Sequence, residues 1–374
     1  MTKHPANTLS LVADIGGTNT RVALADGTTL LPETVRRYRN TGYPGLETVL
    51  RQYISEEGDV DCKGACVAVA GPVRDGVGTM TNLDWTIDKD TLRRATNADT
   101  VAILNDLQAQ GHALGYVADE NITCVIEAQT PEAPSANAVR LVIGVGTGFN
   151  AAPVFETYAG RFVAPSECGH ANLPIRTEEE LDLCKFVENA HGFPAVEDVL
   201  SGRGLERVYL FLGTQAGDPR EKSAADIMQS VENEDDPRAD ETVRVFVKIL
   251  GTVAGNLSLI QLPFGGVFMV GGVARAMTPH LERFGFANAF RDKGRFAGFM
   301  QNFAVSVIED DYAALTGCAS HLNSLTPYPI DLILLFLKPR RLSVEVFLYP
   351  IGFLNVCNVV LTDCPLNIIQ RLVL

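Results

Sequence analysis

Short apolar segments interrupted by glycine recur along much of the chain. Leu9 to Ala13 and Val22 to Ala25 are apolar enough to form buried strands, and the polar segment between them contains two adjacent glycines. Leu141 to Val145 and Ala151 to Phe155 repeat this pattern around the turn Gly146-Thr147-Gly148. Each repeat predicts a strand, a tight turn and a returning strand. The duplication predicts two related domains that face one cleft.

Strand and helix patterns alternate between the two predicted hairpins. Pro44 to Glu56 carries apolar residues at helical spacing, and we expect its proline to start the helix. Gly64 to Ala70 and Val101 to Leu104 predict buried strands, and Gln108 to Leu114 can begin a helix after the second of them. This alternation favours an α/β fold, in which ligand-binding residues lie at the carboxyl ends of the strands.

The later part of the chain predicts a long helix and a further strand. Thr242 to Leu262 is mostly apolar at helical spacing, and the acidic segment Glu232 to Asp240 before it predicts a solvated loop. Gly266 to Val270 predicts a strand that ends at Gly271-Gly272, with a helix from about Pro279. A third glycine turn therefore follows a buried strand.

The composition restricts the class of protein. With 374 residues, 46% of them hydrophobic and 20% charged, the chain is long enough for two globular domains. Its net charge of -14 argues against a nucleic-acid partner, but it permits ATP because backbone N–H groups and Mg²⁺ supply a local positive field. The eight cysteines contain no Cys-x-x-Cys pair and the first residues are polar. We therefore expect free thiols, no signal peptide and a cytoplasmic protein.

The turn after the first strand carries the first candidate chemistry. Its residues are Asp14, Ile15, Gly16, Gly17, Thr18 and Asn19. The paired glycines let backbone N–H groups approach a phosphate closely, and the Thr and Asn side chains add short donors. Asp14 ends the strand, where a carboxylate beside phosphates commonly holds Mg²⁺ or its water. The alternative is an ordinary glycine hairpin with a polar tip.

Asn105 and Asp106 follow a predicted buried strand and should face the cleft. Phosphoryl transfer to an alcohol requires a carboxylate that accepts the hydroxyl proton, and Asp106 is the candidate base. The alternative is that the Asn-Asp pair caps the helix that begins at Leu107.

Further polar residues could hold a neutral polyol through short hydrogen bonds. Glu167 and His170 share one compact loop, and Glu197 precedes the turn Val199-Leu200-Ser201-Gly202. Singly, such residues are more often solvated or structural. His170 lacks partners at metal-ligand spacing, so we expect no zinc site.

Gly144-x-Gly146-x-Gly148 could be mistaken for a dinucleotide-binding motif. The third glycine of that motif would fall at Phe149, and a strand follows here instead of a helix. We therefore exclude a dinucleotide fold.

Six motifs resemble, in order and spacing, those of bacterial ATP-dependent glucokinases, which belong to the actin-like ATPase-domain superfamily. The motifs are Asp14-Ile15-Gly16-Gly17-Thr18-Asn19, Leu104-Asn105-Asp106, Gly144-Val145-Gly146-Thr147-Gly148, Glu167-Cys168-Gly169-His170, Val199-Leu200-Ser201-Gly202 and Gly265-Gly266-Val267-Phe268-Met269-Val270-Gly271-Gly272-Val273. The resemblance runs from about Leu9 to Leu322. It implies two actin-like ATPase (ribonuclease H-like) domains around a central cleft, with phosphorylation of D-glucose at the 6-hydroxyl.

The same resemblance implies residue roles. The first phosphate loop is Asp14 to Thr20, the second is Gly146-Thr147-Gly148, and Gly271-Gly272 contacts the adenosine side. Asn105, Glu167, His170 and Glu197 are implied to hold the sugar hydroxyls, with Asp106 as the base. The implied cofactors are ATP and Mg²⁺, and the implied assembly is a homodimer.

Two alternatives stay open at this point: a kinase for another hexose such as mannose or fructose, and a sugar-binding regulator without turnover. The cysteine-rich zinc motif of the related repressor and kinase branch is absent from the sequence, as is space for a helix-turn-helix before the first strand. Relatives usually carry glycine where this chain has Asn150 and Cys168. Because backbone donors are unaffected, we expect these changes to tune the site.

The predicted domains are residues 1–110, with the first phosphate loop, and 111–323, with the second loop and the adenosine motif. Residues 324–374 form an apolar extension with no clear helical or strand period. Its apolar runs are shorter than the roughly 20 residues that span a bilayer. A membrane anchor and a partner-binding element are alternatives, but we expect an appended segment without a catalytic role.

Overall fold

The computed structural model describes residues 8–80, 83–129, 133–158 and 160–325, together with the backbone of three strands between 344 and 373. The chain divides into two compact units, residues 1–325 and 326–374. All predicted site residues lie in the first unit.

Fifteen strands occur in the described part of the first unit. They are β1 (Leu9–Ile15), β2 (Asn19–Asp26), β3 (Thr29–Leu30), β4 (Arg36–Arg39), β5 (Cys62–Val69), β6 (Val73–Arg74), β7 (Val77–Thr79), β8 (Thr86–Asp88), β9 (Thr100–Asn105), β10 (Ile122–Ile126), β11 (Arg140–Val145), β12 (Phe149–Thr157), β13 (Gly160–Val163), β14 (Val267–Val270) and β15 (Val305–Ile308). Most of them belong to two six-stranded sheets.

The α-helices described in the first unit fill the connections between strands and cover the sheets. They are α1 (Leu46–Glu56), α2 (Lys89–Thr96), α3 (Asp106–Ala113), α4 (Glu178–His191), α5 (Gly202–Gln215), α6 (Ala224–Asn233), α7 (Pro237–Gln261), α8 (Gly272–Met277), α9 (Phe286–Arg291) and α10 (Ala313–Leu325).

The two large sheets share one topology, which confirms the predicted duplication. In the first sheet the antiparallel hairpin β2-β1 continues through parallel pairs into β5 and β9. In the second sheet the antiparallel hairpin β12-β11 continues in the same way into β14 and β15. Both glycine turns therefore occupy equivalent positions, and the predicted α/β class is confirmed.

Helices cover both faces of the first sheet. Alternate residues of β1, such as Leu11, pack in a cluster with Leu50 and Tyr53 of α1. The intervening residue Val12 packs with α10 residues such as Leu315 on the other face. This two-sided burial explains why the strand sequence is an unbroken apolar run. The predicted boundary at residues 110 and 111 falls within α3, and the division into two domains stays a prediction.

Three predicted helix boundaries are wrong. The helix α1 begins at Leu46 after the cap residue Gly45, so Pro44 precedes the cap instead of starting the helix. The expected solvated acidic loop is largely helical, because Asp236 caps α7 by accepting from the Arg238 N–H. Acidic residues stabilise a helix N-terminus, so this acidic run is part of a helix start.

The third predicted helix boundary concerns the segment after β14. The helix α8 begins at Gly272, directly after the strand, and not near Pro279. Gly271 has a φ of 105°, a left-handed conformation that glycine adopts without a Cβ clash. This one residue turns the chain from strand to helix.

The long apolar helix α7 belongs to the core of the second half. Among the described residues it is the one helix whose length and apolar composition would suit a membrane span, and 61% of its apolar window is buried inside the protein. Val243, Phe246 and Leu250 are fully buried in the same cluster as strands β11 and β14. Burial against the sheet accounts for its composition.

Three strands are described in the second unit. They are β16 (Val344–Ile351), β17 (Leu354–Leu361) and β18 (Ile369–Val373), which pair antiparallel in that order. The sequence showed no clear strand period there, but it is rich in β-branched residues, which favour strands. The absence of a catalytic role for this segment stays a prediction.

Two histidines pack together between α3 and α10. The rings of His112 and His321 are 4.5 Å apart, His112 is buried, and the buried Nδ1 of His321 has no hydrogen-bond partner within the described part of the chain. Burial lowers the pKa of His112 to about 3, and His321 and Arg161 add to this effect. Burial also lowers the pKa of His321. Both imidazoles therefore stay neutral in the folded protein near neutral pH.

We expect this pair to make the fold acid-sensitive. An unfolded histidine titrates near pH 6.5. Below that pH the histidines of the unfolded chain bind protons, whereas those of the folded chain do not. The free energy of unfolding therefore falls as the pH is lowered, and for His112 the fall continues down to its folded pKa of about 3. For His112 the slope should approach about 1.4 kcal/mol per pH unit, and His321, whose pKa burial also lowers, should add to it in the same direction.

Urea unfolding between pH 6.5 and 4.5 measures this slope. His112→Gln should make it shallower, whereas His191→Gln, at an exposed histidine of α4, should leave it unchanged. Equal slopes in all three proteins would contradict the prediction.

Candidate active site

Hydrogen bonds from a residue distant in sequence, Asn40, stabilise the first glycine turn. Within the turn the Gly16 N–H donates to the Asn19 carbonyl at 3.0 Å. The Asn40 side chain donates to the Gly16 carbonyl at 2.8 Å and accepts from the Thr20 hydroxyl at 2.8 Å. The backbone N–H of Asn40 donates to the Thr18 carbonyl. Asn40 is buried, and sequence reasoning missed it because no motif marks it.

Asp14 lies beside this turn as the second-to-last residue of β1, which ends at Ile15, one residue beyond the predicted end of the strand. Its carboxylate lies 3.7 Å from the Arg21 guanidinium. Burial raises the pKa of Asp14, and Arg21 opposes that shift. A half-buried carboxylate whose charge is poorly compensated is suited to a cation. No group of three His, Cys, Asp or Glu with metal-site geometry occurs among the described residues.

Asn105 is the last residue of β9 and caps α3. Helix capping was the alternative to ligand binding that the sequence left open for this residue. Its Oδ1 accepts from the Leu107 N–H at 3.0 Å, and the Gln108 side chain accepts from the Asn105 N–H at 3.1 Å. Its Nδ2 donates to the Gly71 carbonyl at 3.0 Å. The amide keeps one N–H and one lone pair for a ligand.

Asp106 is the first residue of α3, and its Oδ1 accepts from the Leu107 N–H at 2.7 Å. The pKa of Asp106 is raised to about 6, chiefly by burial and in addition by the charges of Asp14 and Glu167, against the opposing hydrogen bonds from Leu107 and Asn105. The fold thus brings carboxylates from three separate predicted motifs within electrostatic range. A carboxylate with a pKa near 6 is ionised at neutral pH and is still basic enough to accept a proton.

The second glycine turn is tied to two neighbouring segments. The Gly146 N–H donates to the Gly148 carbonyl at 2.9 Å, and the Gly202 N–H of α5 donates to the Gly146 carbonyl at 3.0 Å. The Glu197 Oε2 accepts from the Phe149 N–H at 3.0 Å. A Cβ on Gly148 would lie 2.4 Å from that oxygen. One oxygen of Glu197 therefore lies against the second glycine turn, a contact that the sequence did not predict.

Glu167 and His170 present their side chains to solvent. They flank a short helical turn, Cys168–His170, with 61% and 65% of their side chains exposed and their polar atoms 4.0 Å apart. Gly169 within this turn packs so closely on β12 that a Cβ would lie 1.9 Å from the Phe149 carbonyl oxygen. The two side chains are thus accessible to a ligand, while the backbone between them is held against the start of β12, beside the second glycine turn.

The predicted adenosine motif adjoins the same turn. Val145 is the last residue before the second glycine turn. A Cβ on Gly271 would lie 2.5 Å from the carbonyl oxygen of Val145. Apart from its chain neighbours and its own helix backbone, no atom of the described residues lies within 4 Å of the corresponding position on Gly272. The backbone at Gly272 is therefore open to a ligand at the N-terminus of α8.

Comparisons with known proteins identify the family of the chain. Residues 11–325 match the family model described as Glucokinase. A glucokinase from Ralstonia nicotianae is 33% identical over 333 residues, with 83% of this chain and 94% of that protein covered. A glucokinase crystal structure from an Antarctic psychrotroph is 28% identical, with a TM-score of 0.75 over 84% of this chain and 98% of that one.

A more distant solved structure shares the fold. It is a ROK family glucokinase from Streptomyces griseus in complex with glucose and AMPPNP, at 18% identity and a TM-score of 0.55, with 84% of this chain and 98% of that chain covered.

Proposed function

The chain belongs to the glucokinase family, and from this premise we propose that it transfers the γ-phosphoryl group of ATP to the 6-hydroxyl of D-glucose, with Asp106 as the general base. The observation that supports this role for Asp106 is its environment. Asp106 begins α3 at the end of a buried strand, and its pKa is raised to about 6. It interacts electrostatically with Asp14 at the first glycine turn and with Glu167 of residues 166–170, which we call the sugar loop.

In the proposed reaction the 6-hydroxyl lies between Asp106 and the γ-phosphate. Asp106 accepts the hydroxyl proton as the oxygen attacks phosphorus in line and ADP leaves. The Leu107 N–H donates to Oδ1 of Asp106 and fixes the carboxyl group in one orientation. Such positioning removes much of the entropy cost of bringing acceptor and donor together.

We propose that the sugar hydroxyls bind Asn105, Glu167, His170 and Glu197. Among the described residues, the exposed side chains of Glu167 and His170 have no polar partner apart from their own 4.0 Å approach. Asn105 retains one donor and one acceptor beyond its capping bonds. Glu197 has one oxygen on the Phe149 N–H and a second available for a hydroxyl.

We propose that the two glycine turns hold the phosphates, with Gly271-Gly272 on the adenosine side. Asp14 suits Mg²⁺ or its bound water because burial raises its pKa and only a longer 3.7 Å contact to Arg21 compensates its charge. When bound, Mg²⁺ would neutralise phosphate charge that develops during transfer. The proposal also includes a homodimer in the cytoplasm.

A coupled assay for ADP release with a panel of sugars tests this function. We expect turnover with D-glucose and Mg-ATP, and slower turnover with mannose and fructose. Faster turnover with another hexose would change the substrate. Glucose binding without ADP release would favour a regulator, which the glucokinase names of the curated relatives do not support.

Two substitutions should separate the sugar loop from the phosphate turn. Glu167→Ala should raise KM for glucose about 10–150-fold, the effect of losing a charged hydrogen bond, and leave KM for ATP unchanged. Glu197→Ala should raise both KM values, because its carboxylate also holds the Phe149 N–H beside Gly148. Steady-state kinetics with each substrate varied in turn measures the effects. An equal rise in both KM values for Glu167→Ala would place Glu167 outside the sugar site.

A further inference from the structure

Asn150 and Cys168, the two positions at which the resemblance to bacterial glucokinases implies glycine, are in contact. The Cys168 N–H donates to the Asn150 Oδ1 at 3.2 Å, and the Cys168 Sγ lies 3.6 Å from the same oxygen. Asn150 belongs to β12, directly after the second phosphate turn, and Cys168 lies in the sugar loop. Two departures from the family pattern therefore meet at one point of the proposed site.

The Asn150 amide reaches both sides of Glu167. Its Nδ2 donates to the Ser166 carbonyl, and its Oδ1 accepts from the Ser166 hydroxyl at 3.2 Å. The same oxygen accepts from its neighbour, the Ala151 N–H, at 2.8 Å. The Ser166 hydroxyl also accepts from the Cys168 N–H at 3.1 Å. The residues before and after Glu167 are thus bonded to one side chain of the sheet.

We propose that Asn150 is a positioning residue that fixes the sugar loop, residues 166–170, and thereby orients Glu167 toward the sugar. This inference rests on the proposed function, in which Glu167 binds a hydroxyl. With 61% of its side chain exposed, Glu167 has little packing of its own to hold it. A loop fixed before binding does not lose that freedom when the sugar arrives, which improves affinity.

A glycine at position 150 could make none of these side-chain bonds. The Ser166 carbonyl and the Cys168 N–H would then lose their hydrogen bonds to the Asn150 side chain on β12. The tight contact of Gly169 with Phe149 would remain. A glycine at position 168 would also give the loop backbone more freedom. In this chain the amide and the larger residue at 168 hold the loop together.

Asn150→Ala tests the inference, with Asn302→Ala as the matched control. Asn302 also has an amide that donates to a carbonyl, that of Phe299 at 2.8 Å, but it lies outside the proposed site. Asn150→Ala should weaken glucose binding, measured by calorimetry without nucleotide, about tenfold. Binding of AMPPNP should stay within about twofold, which a general loss of structure would not allow.

A second readout does not depend on the sugar. Alkylation of Cys168, followed by peptide mass spectrometry, should become about tenfold faster in Asn150→Ala, because the loop opens more often. Ser166→Ala removes only the two hydrogen bonds of the Ser166 hydroxyl, to Asn150 Oδ1 and from the Cys168 N–H. It should weaken glucose binding and speed Cys168 alkylation by about threefold each. This variant replaces Asn150→Ala if that protein does not fold.

The outcomes separate this inference from the proposed function. Unchanged glucose affinity and unchanged alkylation in folded Asn150→Ala would overturn the inference while leaving the kinase function intact. Equal weakening of glucose and AMPPNP would also overturn it, because Asn150 would then be a structural residue. If the unaltered protein bound no glucose, the proposed function would fail, and the alkylation rates would still decide whether Asn150 holds the loop.

Discussion

Asp106→Asn should lower the turnover number for glucose by about 10²–10⁴-fold, the contribution that general-base catalysis typically makes. The amide keeps the shape of the carboxyl group and can still accept from the Leu107 N–H, but it cannot accept the hydroxyl proton. Glucose affinity, measured by calorimetry without nucleotide, should therefore stay close to that of the unaltered protein.

Asp90→Asn is the matched control for this substitution. Asp90 also lies in the first turn of a helix, α2, but it is exposed and pairs with Arg93 on the surface. Its turnover should equal that of the unaltered protein. If Asp106→Asn retained more than about a tenth of the turnover, the loss would be too small for a general base, and another group would have to accept the proton.

Gly169→Ala should raise KM for glucose about a hundredfold or more. The new Cβ would lie 1.9 Å from the Phe149 carbonyl oxygen and 2.9 Å from its carbon, both backbone atoms that cannot rotate away. The sugar loop must then move off β12, which displaces Glu167 and His170. Loss of a charged hydrogen bond from Glu167, about 1.5–3 kcal/mol, together with one of about 1 kcal/mol from His170, corresponds to roughly a hundredfold weaker binding.

The control for this substitution is Gly42→Ala, at a glycine with no atom within 4 Å of the new Cβ. Its kinetics should be unchanged. Retention of the unaltered KM for glucose by a folded Gly169→Ala protein would show that the loop position does not determine sugar binding.

The paired hairpins could be predicted because their signal is local. Each one is an apolar run, a glycine turn and a second apolar run, and strands buried on both faces leave an unbroken apolar sequence. Asp14, Asp106 and Glu167 come from three separate predicted motifs, and the fold brings their charges within electrostatic range of one another, while their roles stay predictions.

Helix starts were less predictable, because one residue type serves two purposes. Acidic residues between Glu232 and Asp240 suggested solvent, yet Asp236 caps α7 and the helix begins one residue later. Composition alone does not distinguish a charged loop from a charged helix N-terminus.

The residues that support the site could not be predicted, because their contacts depend on the tertiary fold. Asn40 bonds to Gly16, 24 positions away, and Asn150 bonds to Ser166, 16 positions away. The contact of Glu197 with the Phe149 N–H spans 48 positions. A single sequence does not reveal which distant backbone group a buried amide or carboxylate will meet.

Identification of the product by NMR tests the central claim most directly. The unaltered protein, incubated with D-glucose, ATP and Mg²⁺, should form one molecule of glucose 6-phosphate for each molecule of ADP, and 6-deoxyglucose should bind without being phosphorylated. A phosphate on another oxygen, or phosphorylation of 6-deoxyglucose, would contradict the claim that the cleft presents the 6-hydroxyl to Asp106.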